Sequence, residues 1–304
     1  MSTQSINGRA FEWAVGSCLQ QQTSFAIRKN QFSENAELAF SLISCEMQKR
    51  FLRAGQLAVC DIIKREHVVE QRGEGEIIFN SDRAGASGDV RDILLNFNKK
   101  TLGISCKNNH EAMKHSRLSA TVDFVKKWGL HHDGCSQSYW NTVKPLFDEL
   151  RDIQKQSQKQ FLWDNLPNKP ERFYWPILNA WCSEIQRLRE NFDAEKSLCQ
   201  ALVAYLVGKY DFYKVICSSD KTVNLQAWNF NNSLSTRKTK YPTVINAINT
   251  QNGGRYSKTI VFNHGFSINF RIHNAGSRVE PSLKFDIVAI GLPSNEIHQQ
   301  TLDL

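Results

Sequence analysis

Two apolar runs, Val90–Phe97 and Leu102–Cys106, flank the polar triplet Asn98-Lys99-Lys100, and this pairing constrains the chain more than any other stretch. Strand-length apolar runs joined by a short Asn-containing turn specify a β-hairpin. With the turn centred near Asn98, the start of the first strand lies beside the end of the second, which is expected to bring Asp89 level with Lys107. Side chains alternate along a strand, so Ser105 and Lys107 share one face. Asp92, three residues from Asp89, is then expected on the opposite face. An acid at a strand start and a lysine closing the next strand is a layout suited to metal-dependent phosphodiester hydrolysis. The residues before the hairpin, Gly85-Ala86-Ser87-Gly88, are small enough for a phosphate backbone to approach closely, although a plain loop is the commoner use of such a run.

The surrounding pattern supplies a scaffold. Phe11, Ala14, Val15, Cys18 and Leu19 recur at helical spacing, and a second helix is expected from about Glu34 to Ala54 and onward through the 60s. Ile77-Ile78-Phe79 reads as another strand of the hairpin's sheet. Residues 119–210 read as mostly helical, with aromatics that serve a core better than a base-stacking platform. The last third changes to strands: Tyr213–Cys217, Val223–Phe230, Thr243–Ile248, Thr259–Phe262, Phe266–His273 and Leu283–Gly291. The chain is therefore divided into a catalytic core (1–118), a helical segment (119–210) and a β-rich segment (211–304) that completes the core.

Charge narrows the partners. Lysine and arginine outnumber aspartate and glutamate by 38 to 30, and the pI is about 9.0, which favours a polyanionic partner, a solvated basic surface being the plain alternative. The eight cysteines include no C-x-x-C pair, so they read as reduced thiols. His131, His132 and Cys135 lack a second pair at ligand spacing and do not make a zinc site. No basic flank precedes a long apolar run, and none approaches membrane-spanning length, so a cytoplasmic protein without a membrane partner is expected.

Donor-rich segments follow the two hairpins. Asn108, Asn109, Lys114, His115 and Arg117 lie directly downstream of Lys107 and suit contacts to the cleaved backbone. In Ser267–His273 polar and apolar residues alternate, so one face packs inward while the other offers Arg271 and His273. Asn274, Ser277, Arg278 and Lys284 follow, and Asn and Arg side chains pair with two base-edge atoms at once.

These residues resemble a known family. SGDVRDILL followed by GISCKNNHEAMKHSRLS resembles the PD-(D/E)XK nuclease pattern. With the opening NGRAFEWAV and the closing FRIHNAGSRVEPSLKFDI, it resembles type II restriction endonucleases of the HaeIII group. The resemblance implies an α/β (α+β) fold. Its PD-(D/E)XK core is a mixed β-sheet flanked by helices, with a helical insertion and a β-rich C-terminal part that recognises DNA. It also implies magnesium-dependent cutting of double-stranded DNA at the palindrome GGCC. By the same resemblance Asp89 and Lys107 are catalytic and Asp89 binds Mg2+. Ser105 stands where the family pattern has Asp or Glu. A hydroxyl is a weaker magnesium ligand, so another carboxylate is expected to compensate: Glu12 first, then Asp92, with Asp82 and Glu111 behind. A homodimer matches a palindromic target, and a monomer nicking each strand in turn is the alternative. Two other functions fit the same residues: DNA binding without catalysis, if Ser105 reports a lost metal site, and a less specific nuclease.

Overall fold

A computed structural model describes residues 3–67, 74–81, 88–109, 113, 116–130, 133–156, 161–189, 192–219, 222–250, 256–274, 276–293 and 297–304. Asp82, Glu111, Lys114, His115, His131 and His132 lie outside the described residues. The helices are α1 (Thr3–Thr23), α2 (Gln31–Leu42), α3 (Cys45–Glu66), α4 (Phe124–Trp128), α5 (Gln137–Gln156), α6 (Trp175–Arg187) and α7 (Phe192–Leu206). The strands are β1 (Ala26–Ile27), β2 (Gly75–Phe79), β3 (Ile93–Phe97), β4 (Lys100–Asn108), β5 (Arg117–Ser119), β6 (Phe212–Cys217), β7 (Thr222–Trp228), β8 (Ile245–Thr250), β9 (Lys258–Phe262), β10 (Ser267–His273), β11 (Ser282–Gly291) and β12 (His298–Asp303). The fold is mixed α/β.

The chain forms two compact units, each assembled from separate segments. The first comprises residues 1–111, 209–240 and 293–304. Its seven-stranded sheet runs β1-β2-β3-β4-β6-β7-β12, with β1 parallel to β2, β4 parallel to β6 and the other neighbours antiparallel. Helices α1 and α3 cover one face. Phe11, Ala14, Val15, Phe51, Ala58 and Ile62 bury there against Ile77, Leu95, Leu102, Ile104, Val215 and Leu225. Among the described residues three helices precede the hairpin where two were expected. The second breaks at Ile43, and Ser44 then caps α3 by accepting a hydrogen bond from the Met47 amide.

The second unit comprises residues 112–208 and 241–292. Its antiparallel sheet runs β5-β11-β10-β9-β8, with a core that includes Leu118, Phe124, Trp181, Phe270, Phe285 and Ile287. Trp181 meets Phe270 and Phe285 edge-on, each at 5.2 Å between ring centroids, so these aromatics are packed as core.

Candidate active site

The β3–β4 turn is tighter than the apolar runs suggest. Asn98 and Lys99 both have positive φ, 45° and 64°, and Phe97 pairs directly with Lys100. Two consecutive left-handed residues make the turn whose twist matches a hairpin. The two-residue turn sets the register of the whole hairpin: Ile93 pairs with Ile104, and the Asp92 amide donates to the Ile104 carbonyl at 2.8 Å. Asp92 therefore arrives beside Ser105, on the face that Ser105 and Lys107 share. The expected alignment of Asp89 with Lys107 is off by one residue, and a one-residue slip moves a side chain to the other face.

Asp92 is the hub of what results. Its Oδ2 accepts from the Cys106 amide at 2.7 Å, the Ser105 hydroxyl at 3.0 Å and the Lys107 ammonium at 3.5 Å. Asp89 points elsewhere. Its two oxygens take a bidentate pair from Arg91, both contacts at 2.7 Å, and the Asn80 amide lies 3.4 Å away. Arg91 in turn stacks over the Tyr210 ring at 4.1 Å from its centroid and fills the space above Gly103, where a Cβ would sit 1.9 Å from its Cδ. Asp89 is thus occupied in holding the approach to the hairpin.

Helix α1 contributes the second acid. Glu12 is bound by Arg9 one turn earlier at 2.8 Å and lies within the electrostatic reach of both Asp92 and Lys107. Burial, and then the negative charge of Asp92, push its carboxyl up to about 8. Lys107 shifts the opposite way from a simply buried amine: burial pulls its pKa down, but Asp92 and Glu12 outweigh this and leave it raised. The ammonium stays charged across the physiological range.

The arrangement suits a divalent cation. Among the described residues no group of three His, Cys, Asp or Glu side chains makes a ligand set. Two carboxylates do converge, however, and magnesium commonly takes one or two protein carboxylates and completes its shell with water and substrate phosphate. Burial first, and the charge of Asp92 second, raise Glu12 against the opposing pull of Arg9 and Lys107. The Ser105 hydroxyl is buried and already directed at Asp92.

The candidate DNA-contacting residues divide by surroundings. Asn108 ends β4 with its Oδ1 buried and without a hydrogen-bond partner among the described residues, and Asn109 turns the chain at φ 56° while its amide donates to the Cys217 carbonyl. In the second unit, Arg117, Lys284 and His273 form one cross-strand row over β5, β11 and β10, each pair in direct register. Arg271 and Asp286 occupy the next row and are paired at 2.9 Å. Arg117 is paired with Glu280 at 2.9 Å, and the Lys284 amine is lowered, first by burial. Asn274 accepts from the Tyr174 hydroxyl and donates to the Gly276 carbonyl, so its amide is engaged within the second unit. Ser277 and Arg278 are exposed beside it.

A model of the family described as HaeIII restriction endonuclease matches residues 8–293. The chain belongs to the HaeIII restriction endonuclease family. A curated relative, the type II restriction enzyme HaeIII of Haemophilus aegyptius, is 34% identical over 316 residues, which cover 97% of this chain and 96% of the relative. No solved structure matches the chain. Membership makes the chain a type II site-specific deoxyribonuclease, a sequence-specific endonuclease whose substrate is double-stranded DNA. Type II restriction endonucleases generally use a divalent metal, which the paired carboxylates can accept. No described helix is long and apolar enough to cross a membrane.

Within this HaeIII-family fold, two residues beside the site carry weak sequence signals. Asp92, expected on the opposite face, shares the face of Ser105 and Lys107 because the turn holds two residues. Lys214 on β6 is the lateral partner of Ser105 and is 2% exposed. The signal for it was a lone lysine in the run Phe212–Cys217, whose other members are apolar or aromatic.

Proposed function

We propose that Asp92, Glu12 and Lys107 form the hydrolytic centre of a magnesium-dependent endonuclease that cuts duplex DNA within GGCC. The observation that carries this reading is the convergence of Ser105, Cys106 and Lys107 on one oxygen of Asp92. Three donors fix that carboxylate in a single orientation and leave its other oxygen for a cation. When bound, magnesium makes water acidic enough to attack at neutral pH and offsets charge building on the phosphoryl oxygens.

The chain's own groups do the rest. Asp92 and Glu12 are the residues that would hold the cation, whose positive charge would favour the carboxylate form of Glu12. Lys107, kept protonated by both acids, orients the attacking water and stabilises the charge of the pentacoordinate phosphorus; its raised pKa makes it a poor general base. Ser105 acts through Asp92, as a positioning donor. In-line attack leaves a 5'-phosphate and a 3'-hydroxyl.

Recognition falls to the second unit. The Arg117–Lys284–His273 row with Ser277 and Arg278 supplies the donors that guanine O6 and N7 require, and a GGCC duplex is rich in these acceptors. Asn108 and Asn109, next to Lys107, belong to the cleaved backbone. Digestion of one sequenced plasmid with magnesium, followed by mapping of the fragment ends, tests the proposal. Ends confined to GGCC support it. Ends at another sequence overturn the target, a smear makes the enzyme a less specific nuclease, and a mobility shift without cutting makes the protein a binder only.

A further inference from the structure

Beyond β7 the chain runs NFNNSLSTRKTK from Asn229 to Lys240, twelve residues without a carboxylate. Buried polar groups pin this loop at several points. Asp211, 4% exposed, accepts from the Asn231 amide at 2.8 Å and from the Ser233 amide and hydroxyl, each at 2.9 Å. Glu66 at the end of α3, 5% exposed, accepts from the Ser235 amide at 2.9 Å, its hydroxyl at 3.0 Å and the Tyr213 hydroxyl at 2.7 Å. The Asn229 side chain accepts from the Leu234 amide at 3.1 Å and donates to the Thr236 carbonyl at 2.7 Å. Thr239, fully buried, closes the loop by donating its amide to the Asn229 carbonyl at 2.8 Å.

Between the anchors at Thr236 and Thr239 stand Arg237 and Lys238, both exposed. Lys209, also exposed, is joined to the loop through its carbonyl, which accepts from the Asn231 side chain at 3.0 Å. The two acids of the region, Asp211 and Glu66, are turned inward and engaged with the loop's own backbone. The charged side chains left exposed on this loop are cationic, and its backbone is hydrogen-bonded on both sides of Arg237 and Lys238.

We infer that this loop is a DNA-backbone grip in the catalytic unit, in which Arg237 and Lys238 each neutralise a phosphate of the duplex. The inference rests on the reading of the protein as a DNA endonuclease. A surface loop held by buried carboxylates has lost its backbone freedom during folding, so contact with phosphate immobilises only two side chains. Neither residue sits on the hairpin, so the grip contributes affinity and register without entering the chemistry.

The test is equilibrium binding of the full-length protein, without magnesium, to a GGCC duplex and to a duplex lacking GGCC, at 50–200 mM salt. Each phosphate neutralised contributes about 0.9 to the slope of log K on log salt. R237Q/K238Q should therefore lower the slope by about 1.8 on both duplexes, so that the affinity lost over this fourfold rise in salt is about 12-fold smaller. R237K/K238R should keep the wild-type slope, and thermal melts should show all three proteins folded. A wild-type slope in R237Q/K238Q overturns the inference alone, as does a loss confined to the GGCC duplex, which would mark a base contact. Wild-type protein that binds neither duplex overturns the endonuclease reading and the inference with it.

Discussion

The hydroxyl of Ser105 donates to Asp92, and that bond separates two roles it has been open to. A magnesium ligand at this position would face the cation; a positioning donor faces the acid that does. Ser105→Ala leaves Asp92 with the Cys106 amide and Lys107. Cutting should fall by about 10-fold, in the range for loss of a group that orients a ligand, while the magnesium concentration for half-maximal rate stays unchanged. A strong rise in that concentration would make Ser105 a ligand. Much of this cluster was legible in the sequence: Lys107 from its strand-closing position, Glu12 as the first-helix acid, and Ser105 as a departure from the family's acid. Asp92 was not, because its face depends on whether the turn holds two residues or three, and the triplet Asn98-Lys99-Lys100 allows both.

Elements whose residues carry a strong apolar period emerge where the pattern places them, including the six strands from β6 to β11. β12 does not, because His298–Asp303 is an edge strand of mainly polar residues with alternating half-exposure, and Leu302 is its lone apolar residue packed on the core. The break between α2 and α3 was equally hidden, since apolar residues continue on both sides of Ser44. In the helical segment the sequence shows the helices but not what ties them. Glu184 on α6 accepts from the Ser136 amide at 2.8 Å and hydroxyl at 2.7 Å, holding the start of α5, and from Arg187 at 2.7 Å. Burial alone would raise its pKa, but these donors outweigh it and leave the carboxyl below its ordinary 4.5. A depressed carboxylate contributes stability that is present above the unfolded pKa and is lost as pH falls through the folded one. Glu184→Gln should therefore cost about 1–3 kcal/mol in urea unfolding at pH 7. The gap from wild type should shrink as pH falls below 4.5. A gap independent of pH would show that packing, not charge, makes the contribution.

Under the proposed function the carboxylates and Lys107 lie in one unit and the row Arg117–Lys284–His273 in the other. Chemistry and recognition should then be separable by mutation. Arg278→Ala should reduce discrimination between cognate and single-mismatch duplexes by about 1–3 kcal/mol, as expected for one lost base contact. Equal loss on every sequence would make Arg278 a phosphate contact instead. In the first unit, the hairpin register supports the proposed hydrolytic role for Asp92 and a structural one for Asp89. Single-turnover cleavage by Asp92→Asn and Asp89→Asn, with duplex binding measured separately, tests it most directly. Asp92→Asn should bind DNA and cut at least about 100-fold more slowly, whereas Asp89→Asn should lose stability with Arg91 unpaired and still cut within about 10-fold of wild type. Near-wild-type cutting by Asp92→Asn, with loss of cutting in a folded Asp89→Asn, would contradict the account.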